Sequence, residues 1–488
     1  MGQPLPFAQG FYVSESLPIS AQECINYYPN PPQTSTITEM ALFNTPGLVE
    51  KTAAATGEFN RGSHKLADIL YQVNGNNLYR IDRTVNAFGP DTFAAVAVNG
   101  AVSIPGEKRV QIIDNGVQMA IIVPEETQKF NVWIFTVAGG LVQLSDVDFN
   151  GPVSAGVYID SFFLFTKKDG KQFFISASND GFSYNALDFA TAAVDPDPIK
   201  APFVLRNQLF IFGSQTAESF QNIGGSGFPF QRIQGQVIQK GILAANTITE
   251  IQGSMVWLGS SVNEQPAIWI SSGGDPERIS TTAIENQLRT YTDTQIEDAF
   301  VNKYSQSGNY FLAFTFPGQT TFTYDFTSGL WHERKSVNDV TVIPWRVTTI
   351  EDAYGELFVG DSISNKIGII DKDTFTDYGS ITRRRFVTPP FSNNGEPFFV
   401  DSVELFMETG TALTTSQGSD PKMLMSASND GGRTFNNNIS RDIGLIGEYE
   451  QRLIWGQLGR TSREKMLAFE TSEPIKSVII KLEVNLDG

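Results

Sequence analysis

Short apolar runs, each followed by a polar turn and a second apolar run, recur along most of this chain. The first runs of successive pairs begin at Ile69, Met119, Phe162, Leu209, Met255, Tyr310 and Leu357. The interval is roughly 45–50 residues, which is the size of a propeller blade. Within the pairs, ILYQVNGNNLYRI (69–81), FFLFTKKDGKQFFI (162–175) and YFLAFTFPGQTTFTYDF (310–326) set β-branched and aromatic residues on either side of Asn-Gly, Asp-Gly or Pro-Gly. Those dipeptides supply the positive or preset φ that tight hairpins need. The pattern predicts an all-β chain whose central part is a β-propeller of six or seven blades.

The same pattern divides the chain. Residues 1–60 carry three proline-marked stretches and only short strand-like pieces, so they are expected to form an amino-terminal arm or partial platform domain rather than a blade. Residues 61–382 are expected to be the propeller. Near 281–307 the alternation is lost in TTAIENQLRTYTDTQIEDAFVNKYS, where Thr282 with Glu285 and Thr292 with Gln295 have capping-box spacing. Two short helices are predicted there, either as a contact surface on one rim or as loop filling. After Thr382 the texture changes to RRRFVTPPFSNNGEPFF, and alternation then returns in VDSVELFME (400–408), KMLMSAS (422–428), RLIWGQLG (452–459) and SVIIKLEV (477–484). Residues 383–488 are therefore expected to form a β-sandwich-like domain.

Composition supports this picture and narrows the function classes. A chain of 488 residues has room for two or three domains, and 37 Phe, 14 Tyr, 43 Gly and 24 Pro suit many short aromatic strands joined by turns. No stretch reaches the ~20 apolar residues of a membrane span, so no membrane insertion is expected. The start, MGQPLPFAQGFYVSES, lacks the basic segment and apolar core of a secretory signal. The chain is thus expected to stay in a cytoplasm until it is assembled. With 53 Asp and Glu against 35 Lys and Arg, the net charge is −18. That balance argues against a general duplex-binding surface, because nonspecific DNA affinity comes from cations displacing counterions.

Candidate chemistry is sparse. Cys24 is the single cysteine and sits in the apolar, proline-rich ECINYYPNPP, so no intrachain disulfide can form and a buried, inert thiol is expected. His64 and His332 are the only histidines, which rules out a histidine-rich metal site, and HExxH, CxxC and GxSxG are absent. The GGSGF loop (224–228) does not match a phosphate-cradling GxxxxGK[ST]. Asp371, Asp373 and Asp377 lack the glycine and glutamate that a calcium loop requires. No catalytic residue, metal or cofactor is therefore expected.

Two motifs remain. Ser428, Asp430, Gly432, Thr434 and Phe435 reproduce the Asp box of sialidases and other propellers, S-x-D-x-G-x-T-[WF], with a partial echo in SNDGFSY (178–184). The box holds a hairpin turn through its Asp and Ser side chains, so a structural role is expected. A sialidase would also carry an Arg-Ile-Pro signature, and here Arg232-Ile233 is followed by Gln234. Arg383, Arg384 and Arg385 are the one run of three basic residues in an acidic chain. Their guanidinium forks suit carboxylate or phosphate groups. They are read as a possible interface, or as a linker paired with nearby acids.

CINYYPN (24–30), IQKGILA (238–244), IENQLRTYT (284–292), SASNDGGRTF (426–435) and RLIWGQLGR (452–460), taken in this order, resemble the packaged-DNA stabilisation proteins, or tail hubs, of P22-like short-tailed bacteriophages. The resemblance implies a structural protein of the virion tail, not an enzyme. It implies a homohexameric ring below the portal and its adaptor that closes the DNA exit channel after packaging. It also implies anchorage of a tail needle or plug and of tailspikes or fibres. Genomic double-stranded DNA would pass through such a ring without tight binding, and the host cytoplasm would hold the chain before assembly. The alternative reading is a glycan-binding or sialidase-like propeller used in host attachment. A cellular propeller scaffold is disfavoured because no WD or kelch signature appears.

Overall fold

A computed structural model describes residues 2–32, 34, 37–55, 57–192, 197–225 and 227–487. It is an all-β chain made of a propeller and a carboxy-terminal β-sandwich. Five free-standing four-stranded antiparallel sheets follow one another over residues 60–97, 111–143, 153–191, 199–238 and 249–278. A sixth blade, Phe300–Gln306, Asn309–Phe316, Thr320–Asp325 and Leu330–Asn338, runs on into the sandwich as part of a 10-stranded sheet. The closing blade is formed by Val347–Ala353, Glu356–Asp361 and Lys366–Asp371, with Gly47–Ala53 as its outer strand.

The hairpins form where the turn chemistry places them. The 69–81 pair reverses at Gly75, whose φ is +53°, and the 162–175 pair at Asp169, whose φ is +54°. The strands bury continuous apolar runs, such as Met119 to Val123 in the second blade, because each sheet is covered by a neighbour on both faces. Separate cores lie between consecutive blades: Tyr71, Trp133 and Phe135 join the first to the second, and Phe149, Phe165 and Phe174 the second to the third.

Side-chain bonds tie the inner strands to one another around the axis. Asn60 accepts from the hydroxyls of Thr348 (2.7 Å) and Thr349 (3.0 Å), linking the first and closing blades. Gln111 pairs with the backbone of Gly156, donating at 3.0 Å and accepting at 2.9 Å. Asn302 donates to the carbonyl of Thr348 at 3.1 Å, and Lys303 to that of Glu250 at 3.1 Å.

The helical insertion lies between the fifth and sixth blades. α1 spans Thr282–Leu288 and α2 spans Asp293–Glu297. The α1 cap is one residue earlier than the sequence spacing suggests. Thr281 accepts from the Ile284 amide, while Glu285 turns to the Ser280 hydroxyl at 2.8 Å instead of reaching back. α2 has both halves of the Thr292/Gln295 capping box.

The first 60 residues, expected as an arm or partial platform, are shared between the two bodies. Gly47–Ala53 closes the propeller, while Gln3–Pro4, Tyr27–Asn30 and Ala41–Asn44 join a sandwich sheet with Phe398–Met407, Leu453–Gly456 and Ile479–Asp487. Leu5, Phe7, Tyr27 and Leu42 fill the sandwich core beside Trp455 and Phe469. These strands are too short to form a separate core, so they are buried against long strands that arrive later in the chain.

Strand Cys24–Ile25 joins the bodies. It runs parallel to Leu330–Asn338 of the sixth blade and antiparallel to Arg384–Val387 of the sandwich. Asn26 then turns the chain with φ of +54°. Its amide donates to the carbonyls of Lys335 and Arg383, both at 2.8 Å, and accepts from the Lys335 amide at 3.0 Å. Asparagine tolerates the left-handed backbone better than most residues and has the donors and acceptor that both strands need. Asn26→Ala is expected to cost about 2–4 kcal/mol, since it strands buried backbone groups and strains the turn. Asn26→Gly should recover only the strain. Urea unfolding of the two variants tests this, and equal, near-native stability of both would contradict it.

Candidate functional site

The Asp-box turn and the arginine run, far apart in sequence, are brought together on the amino-terminal segment. In the turn, Ser428 accepts from the Gly432 amide at 2.9 Å and donates to Asp430 at 2.7 Å. Asp430 accepts from the Thr434 amide at 2.9 Å and the Thr434 hydroxyl at 2.6 Å. These bonds hold its carboxyl at about 2, below the ordinary 3.8. Gly431 and Gly432 have φ of +72° and +82°, and a Cβ on Gly432 would lie 2.5 Å from that of Ala21. Phe435 packs on Ala21, Val387 and Met466. The echo at 178–184 closes differently: Asp180 accepts from the Phe182 amide at 3.0 Å and the Tyr184 hydroxyl donates to the Gly181 carbonyl at 2.9 Å, while the Tyr184 amide bonds Asp146, at 3.0 Å.

Each arginine of the run is engaged within the chain. Arg383 forks onto Glu470 at 2.7 and 2.5 Å. Arg385 meets Glu23 at 2.6 Å and Glu470 at 3.3 Å, with its guanidinium 5.2 Å from the Phe435 ring centroid. Arg384 is 1% exposed and donates to the carbonyls of Ile475 (2.8 Å), Glu473 (2.8 Å) and Phe375 (3.2 Å). An interface built on Arg384 is therefore corrected to an internal brace: its donors are spent on loop carbonyls that have no strand partner. Strand alternation in Arg384–Val387 turns Arg384 and Phe386 inward and leaves Arg385 half-buried.

The other singled-out residues are dispersed. Cys24 is buried, and burial, with Glu333 nearby, pushes its thiol well above the usual range. His332 is fully buried in the sixth blade and burial lowers it to about 3, so it stays neutral. His64 instead bridges the first and second blades through Asp114 at 2.5 Å, which lowers that carboxyl. Asp371 caps its own turn through Thr374 at 2.7 Å, whereas Asp377 is buried against Ser336 at 2.5 Å. In the 224–228 loop, Ser226 lies outside the described residues. Among the described residues no group of three or more His, Cys, Asp or Glu side chains is arranged to hold a metal, and no helix is long and apolar enough to cross a membrane.

One site was not visible in the sequence. Where the inner strands begin, the propeller axis opens into a cavity of about 900 Å³ lined by Asn60, Lys108, Gln111, Lys200, Asp298 and Trp345, among others. Two ion pairs cross it, Lys108 with Asp298 and Lys200 with Glu297. Their partners are widely separated along the chain and follow no local spacing rule.

The architecture and its order along the chain match a known family. Residues 3–375 match the model described as Bacteriophage P22 Gp10, beta-propeller, and residues 383–487 match Bacteriophage P22 Gp10, beta-sandwich. The chain belongs to the bacteriophage P22 Gp10 family. A curated Gp10 relative, the tail hub protein gp10 of Salmonella phage P22, is 23% identical over 312 residues, covering 61% of this chain and 61% of that protein. Among solved structures, the extracellular domain of the two component system BT4673 from B. thetaiotaomicron is 9% identical, covering 88% of this chain and 59% of that one, with a TM-score of 0.44. The computationally designed Ika8 protein is 10% identical, covering 66% and 99%, with a TM-score of 0.40. Likenesses at this level do not bear on function. Within the Gp10 architecture, Arg384 stands at the start of the sandwich and bonds back to Phe375 at the end of the propeller.

Two outcomes are expected. Arg384→Met should destabilise by about 3 kcal/mol because a buried guanidinium's bonds to three carbonyls and the Ser477 hydroxyl are lost together, whereas the half-exposed Arg383→Met should cost under about 1 kcal/mol. Chemical denaturation separates them. Asp430→Ala should cost about 1–2 kcal/mol. Because the folded carboxyl lies below its unfolded value, its contribution is present above about pH 4 and is lost as pH falls towards 2. Melting curves of wild type and Asp430→Asn should therefore converge over that window.

Proposed function

We propose that this chain is a structural protein of a phage tail hub. The observation that carries the reading is that the propeller and sandwich models of one family match it in order over nearly its whole length. The curated relative bears the name tail hub protein, which agrees. In this reading the chain forms a homohexameric ring in the virion tail, below the portal and adaptor. The ring closes the DNA exit channel and anchors the needle or plug and the tailspikes or fibres.

The physical features support such a role. A propeller presents loops on two rims, and a sheet continuous with the sandwich makes one stiff block that can bear on rings above and fibres below. A heterologous interface that closes on itself gives a cycle. At −18 per copy, a ring is strongly acidic. A wall of that sign contains duplex DNA without holding it, whereas a basic lumen making several phosphate contacts would slow its exit.

Tail reconstructions with symmetry left free test the ring. Sixfold copies are expected, and threefold or twelvefold copies would count against it. Titration with duplex DNA near physiological salt should show no submicromolar affinity; tight, steeply salt-sensitive binding would contradict the sliding channel. Incubation with sialosides, peptidoglycan or capsular polysaccharide should release no product.

A further inference from the structure

The axial mouth carries an arrangement that the hub reading does not use. Lys108 lies just before the inner strand of the second blade, Lys200 lies in the inner strand of the fourth, and Glu297 and Asp298 end α2 just before the inner strand of the sixth. Asp298 meets Lys108 at 2.7 and 3.1 Å, and Glu297 meets Lys200 at 2.9 Å. Two adjacent carboxylates based on the sixth blade can reach the second and fourth together only by lying across the axis, over the cavity. We propose that α2 is a strap across the axial mouth, latched by these two ion pairs, and that the cavity beneath it opens to solutes when the latches release.

The strap's backbone is anchored on both sides of its carboxylates, by the complete capping box at Thr292 and Ile296 before them and by buried Ala299 after them, with Ile296 and Ala299 in one core with Tyr291 and Phe316. The part that can let go is the pair of carboxylate side chains. The latches are the weakly held part: side-chain exposures are 53% and 36% for Lys108 and Asp298, and 35% and 56% for Lys200 and Glu297. Half-exposed pairs are screened by salt and contribute little each, so release is frequent. The pairing is also selective. The other cations at the mouth are committed elsewhere: Arg61 to the carbonyls of Lys108, Gly75, Ile104 and Pro105, Lys168 to that of Pro124, and Arg109 to that of Thr348. Glu125, another acid of the cavity lining, is held by the backbone amides of Glu107 and Lys108.

The test is thiol labelling of the full chain, in which Cys24 is buried and so reports unfolding. Asn246→Cys places a probe in the cavity lining, and Val340→Cys, at a position 94% exposed, gives the rate of an open site. With N-ethylmaleimide, the Asn246→Cys probe should react far more slowly than the Val340→Cys one. Adding Glu297→Gln and Asp298→Asn, or 1 M salt, should accelerate it about three- to tenfold with Cys24 still unreactive. The charge swap Lys108→Glu with Asp298→Lys should restore the slow rate. The strap is overturned if the cavity probe already reacts at the open-site rate, if neither the neutralised pair nor salt changes its rate, if the swap fails to restore it, or if acceleration comes only with Cys24 labelling.

Discussion

The structure depends on a constraint at Asn26. One asparagine amide bonds the backbone of the sixth blade and the first strand of the sandwich at once, and the dipeptide strand before it fills the gap between them. Without that insert the two sheets would present unpaired edges to each other about two strand spacings apart, too far for direct hydrogen bonds. With it, the last strand of the sixth blade and the first strand of the sandwich belong to one hydrogen-bonded surface. Neighbouring residues reinforce the junction. Arg334 stacks on Trp345 with its guanidinium 3.6 Å from the ring centroid, and Arg346 pairs with buried Asp361. The junction is thus bridged by continuous strand pairing and several buried side-chain bonds, which favours a single angle between the bodies over a hinge.

The arginine run is part of the same junction. Arg384 bonds inward to sandwich loops and to the end of the propeller, while Arg383 and Arg385 share Glu470 on the outside and Arg385 reaches Glu23. Charges that read as a surface signal in one dimension serve as internal fasteners in three. The Asp-box turn sits against the same amino-terminal residues, so its rigidity fixes where Pro18 to Glu23 can lie.

Much of the fold was legible in the sequence because blades are local. Each hairpin joins neighbours through a turn whose residues announce it, and the capping box of α2 is a spacing of three. The parts that were not legible are long-range. Nothing in GLVEKTA (47–53) says that its partner begins at Lys366, since a seven-residue strand with mixed burial fits many edges. Nor does ECINYYPN reveal that its asparagine takes a left-handed turn between two distant sheets. The axial ion pairs escape for the same reason. The Arg384 brace, by contrast, could have been foreseen: in RRRFV the middle arginine shares the inward parity of Phe386.

Closing the propeller with an early strand also sets the order in which the molecule can be made. Gly47–Ala53 leaves the ribosome long before Lys366–Asp371 exists to receive it, and bringing the two together closes a loop of roughly three hundred residues, at an entropic cost of about 5 kcal/mol. The blades between them can fold one by one during synthesis, but the ring stays an open arc with two exposed edges until the last blade emerges. The sandwich waits longer still, because Ile479–Asp487 must arrive before Gln3–Pro4 and Ala41–Asn44 find their sheet. A chain broken off anywhere before Ile479–Asp487 therefore keeps sticky, unpaired edges and never becomes the finished block, so the fold itself separates copies that reach that strand from fragments that stop short of it.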